Sequence, residues 1–134
     1  MSARIVSLAI MAAVALPLVV GCQFLVFKVC IKNLTDYYLD EFTSKSAGAP
    51  TYPAGAIKDV APGGSGSEGG YRAGAYDFRA KFDVADNVVC EDTVELLGVE
   101  IVSTNLCITY EQQDIQFGKA GCTEEIYATV DYVL

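Results

Sequence analysis

The chain has no histidine and no tryptophan. Those absences remove the commonest general base, the commonest metal ligand and the best sugar-stacking side chain. Without histidine, a Ser or Cys nucleophile could be activated only by a lysine or a carboxylate, and none stands at a recognisable spacing. Basic residues are also scarce, with Lys+Arg 9 against Asp+Glu 17 and a net charge of −8. An acidic surface with no Lys/Arg cluster repels phosphate backbones and has few counterions to release, which argues against nucleic-acid binding. No two cysteines are spaced C-x-x-C, so zinc, iron–sulfur and thioredoxin-type chemistry lack their usual signature, and no metal or cofactor is expected. After residue 22 no sustained helical periodicity appears, which leaves strands as the elements of the remainder.

What is present begins with an address. Residues 1–22 read MSARIVSLAIMAAVALPLVVGC, in which Arg4 precedes an apolar run from Ile5 to Val20 and the small Gly21 closes it. This is the three-part order of an export signal and predicts an N-terminal signal or anchor helix. The closing Val19-Val20-Gly21-Cys22 resembles the lipobox of bacterial lipoproteins. The resemblance implies cleavage before Cys22, a diacylated Cys22 thiol and an acylated new amine, with residues 1–21 as signal peptide and 22–134 as one domain. Two acyl signals suffice for stable anchoring, since each buried CH₂ contributes about 0.8 kcal/mol. Two alternatives stay open. Val19 and Gly21 also suit ordinary signal-peptidase cleavage, and the apolar run continued through Phe27 is long enough to span a bilayer uncleaved.

The rest alternates. Phe24–Asn33, Tyr37–Ser44, Ile57–Val60, Tyr76–Phe82, Val88–Leu96, one or two strands in Glu100–Glu111, and Glu125–Val133 are separated by turn signals such as Asn33-Leu34-Thr35-Asp36 and Pro62-Gly63-Gly64. The first two strands are expected to form a hairpin, and Asp77, Arg79 and Lys81 to lie on the wet face opposite Tyr76, Phe78, Ala80 and Phe82. About seven short strands in one modest chain predict an all-β fold, an antiparallel β-sandwich. Residues 27–97, with VCIKNLTDYYLDEFTS, the AIKDVAPGGS turn and AGAYDFRAKFD, are similar to small sandwich domains on secreted bacterial lipoproteins. That resemblance concerns turns and core pattern; it carries no activity and no site residues.

Few motifs suggest chemistry. Gly64-x-Gly66-x-x-Gly69 matches the dinucleotide fingerprint, but no helix follows to offer its N-terminus to a pyrophosphate, so the segment reads as a flexible loop. Carboxylates stand close together at Asp40-Glu41, Asp83/Asp86, Glu91-Asp92 and Glu124-Glu125, where glycoside hydrolysis or calcium binding at Asp83/Asp86/Asn87 competes with plain solvated turns. Asn33-Leu34-Thr35 is a glycosylation sequon. Eight tyrosines could stack on a sugar, seal an interface or fill a core. Of the five cysteines, assigning Cys22 to lipid leaves Cys30, Cys90, Cys107 and Cys122, which allow two disulfides in an oxidising compartment. The favoured pairs are Cys107–Cys122 as a local staple and Cys30–Cys90 as a longer link. These features predict a non-enzymatic, lipid-anchored domain in the cell envelope, touching the membrane through Cys22, with protein partners or self-association. The alternatives are a filament subunit that donates apolar segment 23–31 to a neighbour's sheet edge, and a carboxylate-based hydrolase.

Overall fold

The computed structural model describes residues 25–84, 88–115 and 121–133. The expected signal helix and Cys22 lie outside them. Eight strands occur among the described residues: β1 Phe27–Asn33, β2 Tyr38–Ser46, β3 Ile57–Val60, β4 Ser65–Tyr71, β5 Gly74–Asp83, β6 Thr93–Ile101, β7 Asn105–Asp114 and β8 Glu124–Val133. They make two four-stranded sheets, ordered β4-β1-β7-β8 and β3-β2-β5-β6. Among the described residues no helix is long and apolar enough to cross a membrane.

Alternation places the core. In β1, Val29 and Ile31 are fully buried, and in β7 Leu106, Ile108 and Tyr110 are. They meet Phe42, Phe78, Ala80 and Phe82 of the second sheet in one apolar cluster. Phe42 stacks on Phe78 with centroids 5.7 Å apart, and Phe82 meets the Tyr110 ring edge-on at 5.3 Å. Each such side chain contributes about 1.5–3 kcal/mol by leaving water.

Four expectations are corrected here. The expected β1–β2 hairpin does not form, because the two strands belong to different sheets. The cause is local: the Asn33 side-chain amide donates to Tyr37 O and Val60 O, and Leu34 N donates to Tyr110 O, which turns 33–37 into a corner between sheets. The Gly-rich segment read as a loop is β4, paired antiparallel to β1. Glycine suits that edge because a Cβ on Gly66 would lie 2.9 Å from Ile57 Cγ2, closer than side chains approach one another. The sheets are not wholly antiparallel, since β1 and β7 run parallel in register from Val29↔Leu106 to Asn33↔Tyr110. Finally, the strand expected at 88–96 begins at Thr93 and runs to Ile101; the stretch before it is held instead by an isolated bridge from Val89 to Glu124.

The registers sort the molecule into two ends. At one lie the starts of β1, β5 and β7 and the finishes of β4, β6 and β8, as Phe27↔Tyr71, Gly74↔Ile101 and Asn105↔Val133 show. At the other lie the finishes of β1, β5 and β7 with the starts of β2, β6 and β8. The chain enters from the first of these.

Candidate functional site

The four cysteines come together as two pairs, but not as spacing suggested. Cys30 pairs with Cys107 and Cys90 with Cys122, at Cα separations of 4.4 and 5.0 Å, within the range a disulfide needs. The favoured Cys107–Cys122 and Cys30–Cys90 links are therefore wrong. The parallel β1–β7 ladder sets Cys30 directly beside Cys107, both on the face turned away from the core. Cys90 is tied to the start of β8 by its own amide, which donates to Glu124 O at 3.0 Å, so Cys122 is its neighbour. One bridge thus locks the middle of the first sheet, and the other fastens the β5–β6 connection to β8.

The sequon is a structural knot. Asn33 is fully buried and Thr35 nearly so. Both Asn33 amide hydrogens are used, toward Tyr37 O at 2.7 Å and Val60 O at 3.0 Å, while Oδ1 accepts from Thr35 N at 3.1 Å and Thr35 Oγ1 at 2.6 Å. No acceptor nitrogen is left for a glycosyl donor.

On the outer face of the second sheet, loop 47–56 folds back over β2 and β5. Thr43 Oγ1 donates to Pro53 O and Ala56 N to Phe42 O, which pin the loop. The Tyr52 ring then covers two cations, with Arg79 Cζ 4.4 Å and Lys45 Nζ 4.8 Å from its centroid, within reach of the ring's electron-rich face. Its hydroxyl donates to Glu95 at 3.2 Å. Burial first, then the Glu95 carboxylate, pushes the Tyr52 phenol up to about 12.

Beside it lies Asp77, expected on the wet face but only 5% exposed. Opposite Asp77, β6 carries an extra residue: Tyr76 pairs with Val99 and Phe78 with Leu96, and Gly98 takes φ +66° to close the bulge. The Asp77 carboxylate fills the gap, accepting from Gly98 N at 2.9 Å and Gly48 N at 3.1 Å and pairing with Lys45 at 3.3 Å. These two amides, then Lys45, hold its carboxyl below the usual range, against the opposing effect of burial. A folded pKa below the unfolded value means stability that is present above about pH 4 and lost as pH falls through the folded value. Urea midpoints should therefore drop on acidification below about pH 4. Asp77→Asn should be less stable at neutral pH and flatter in acid; equal acid slopes for the two proteins would contradict the assignment.

Of the carboxylates singled out in the sequence, Asp40 and Asp83 are brought near each other by the β2–β5 register, with Asp59 of β3 beside them. Asp40 is raised by burial first and then by Asp83 and Asp59. Glu124 accepts from Tyr37 Oη at 3.1 Å. Among the described residues no three His, Cys, Asp or Glu side chains gather as a metal site. Asp86 and Asn87, two of the three calcium candidates, lie outside those residues. The tyrosines divide as well: Tyr71 and Tyr110 are core, whereas Tyr38 and Tyr132 are half exposed. Burial raises the phenols of Tyr71 and Tyr110.

Sequence reading passed over the end at which the chain enters. Leu25, Val26, Val102, Tyr132 and Val133 are exposed there. Ala73, Gly74, Ala75, Glu100, Ile101 and Val102 line a shallow hollow of about 350 Å³ beside them. The signal was available in the apolar pairs Leu25-Val26 and Tyr132-Val133, but only the registers bring them to one place.

No protein-family model matches the chain, and no curated protein does either. Among solved structures, the NMR structure of the protein from Eubacterium rectale is similar, with a TM-score of 0.51, 6% identity, and coverage of 78% of this chain and 87% of that one. At that identity the likeness concerns the fold: an all-β arrangement of two packed sheets.

Proposed function

We propose that this chain is a non-enzymatic, lipid-anchored extracytoplasmic protein whose β-sandwich serves a structural or protein-contact role in the cell envelope. The observation that carries the reading is Val19-Val20-Gly21-Cys22 at the close of an apolar run, with the other four cysteines consumed by each other. That pairing makes Cys22 the odd cysteine and fits an oxidising compartment. A filament subunit would have to withdraw residues 27–31 from β1, which is held on both sides by β4 and β7. The hydrolase alternative would need two carboxylates facing one cleft, and those that neighbour one another, Asp40, Asp59 and Asp83, stand exposed on strands β2, β3 and β5.

The test is metabolic labelling in a bacterium that processes lipoproteins, using a fatty acid with a clickable tail. Label should enter the wild-type chain and float with membranes, and Cys22→Ala should abolish it. A chain that stays unlabelled, or is labelled equally with Ala at position 22, would overturn the reading.

A further inference from the structure

We infer that the sandwich stands on the bilayer in a fixed orientation, with its chain-entry end pressed into the lipid interface and its acidic end directed away. This rests on the lipid-anchored reading. The occupant it assigns to the exposed apolar end is a phospholipid surface.

Three observations converge on it. The first is reach: Leu25 is three residues beyond Cys22, and an extended chain spans at most about 3.6 Å per residue, so an acyl group on Cys22 holds Leu25 within about 11 Å of the headgroups. The second is the surface brought to that height. Leu25 and Val26 are 57% and 56% exposed, Val102 66%, Tyr132 51% and Val133 46%. Neighbouring register positions gather them, since Asn105 of β7 pairs with Val133 and its Oδ1 accepts from Lys28 N. Tyr132, whose hydroxyl donates to Glu100 O at 2.7 Å, is an amphipathic ring suited to the boundary between acyl chains and headgroups.

The third is charge. Asp40, Asp59, Asp83, Asp92, Asp114 and Glu124 lie toward the opposite end, where Lys32, Lys58 and Lys81 offset only part of their charge, by the registers of β1 to β8. At the entry end the charges are mixed, Lys28 and Arg72 against Glu100 and Asp131. Removal of residues 1–21 takes Arg4 from a chain of net charge −8 and no acidic residue, so the anchored molecule is more acidic still and meets an anionic surface with least repulsion through its entry end. The apolar residues, seated in the interface, add to the acyl chains what a short linker alone would not supply.

The absence of tryptophan makes a clean reporter available. The mature protein, extracted from membranes of a bacterium that processes lipoproteins and carrying Val102→Trp, is reconstituted in phosphatidylcholine vesicles with either plain or brominated acyl chains; Val26→Trp is a second probe of the same end, and Tyr38→Trp probes the opposite one. Bromine quenches only on contact, and interfacial residues sit about 5–10 Å into the boundary, so fluorescence at positions 102 and 26 should fall about twofold or more while that at 38 is unchanged. Vesicles that float with the protein but leave all three positions equally bright overturn the orientation and leave the anchor standing. Protein that does not float overturns the anchor and the orientation with it. A position 102 shielded from acrylamide but blind to bromine, in a particle of dimer mass, gives this end to a second copy and overturns the lipid contact.

Discussion

Peptide mapping without reduction should join the Cys30 peptide to Cys107 and the Cys90 peptide to Cys122, and removing the first bridge should produce one of the two largest losses of stability available in this chain. The sequence separations are 77 and 32 residues. Loop-closure entropy then assigns about 4.5 kcal/mol to the first and about 3.7 kcal/mol to the second, within the range of about 2–5 kcal/mol seen on removing native bridges from small domains. The double replacement Cys30→Ser with Cys107→Ser avoids a lone thiol that could mispair, and equilibrium urea unfolding reads its effect. The parallel β1–β7 pairing makes a further demand. Cys90–Cys122 should remain intact in that variant, because its partners are brought together by the Cys90 N–Glu124 O and Thr123 N–Val88 O bonds and not by the other bridge. A Cys107–Cys122 peptide would refute the register itself.

Asn33→Ala should cost about 3–5 kcal/mol, the second large effect. Truncation removes two donors and one twice-used acceptor from a site with no exposure. It strands the Val60 carbonyl and the Thr35 amide, whereas Tyr37 O keeps Thr35 Oγ1 as a donor, and each buried group left unpaired costs about 1–3 kcal/mol. Relaxation of the corner and entry of water temper the sum. Asn33→Asp should be no better, since a carboxylate oxygen would replace the amide nitrogen opposite two carbonyls. Thr35→Ala should be milder because Asn33 keeps both of its donor contacts. Urea unfolding of the three variants checks the order; a loss under about 1 kcal/mol for Asn33→Ala would mean the corner does not depend on this side chain. The same burial predicts that the folded protein is a poor glycosylation substrate at Asn33 in any host.

Where strands bury a regular stripe, the residues announced them. Tyr76–Phe82 alternates aromatic and charged residues, and β5 covers it. Ile57–Val60 matches β3 residue for residue. Glycine defeated the reading at β4, because a strand whose side chains are mostly absent shows no period; what makes it a strand is the edge β1 offers. Asp77 was misplaced for a related reason. A bulge at Gly98 shifts the ladder by one residue, and no pattern in β5 alone reveals it. Non-local pairing hid the rest. Cys107 lies nearer in sequence to Cys122 than to Cys30, yet the parallel ladder sets it beside Cys30, and neither the disulfide map nor the apolar end could be assembled until β1 and β7 were known to run side by side. The Asn33 sequon shows the converse, a motif legible as modification chemistry whose atoms are spent on the fold.

Intact mass of the protein extracted from membranes, taken before and after reduction, tests the account most directly. The mass should correspond to residues 22–134 plus two or three acyl chains and should rise on reduction by the hydrogens of two disulfides. A chain that retains Met1, or one that begins at Cys22 with an unmodified thiol, would contradict it.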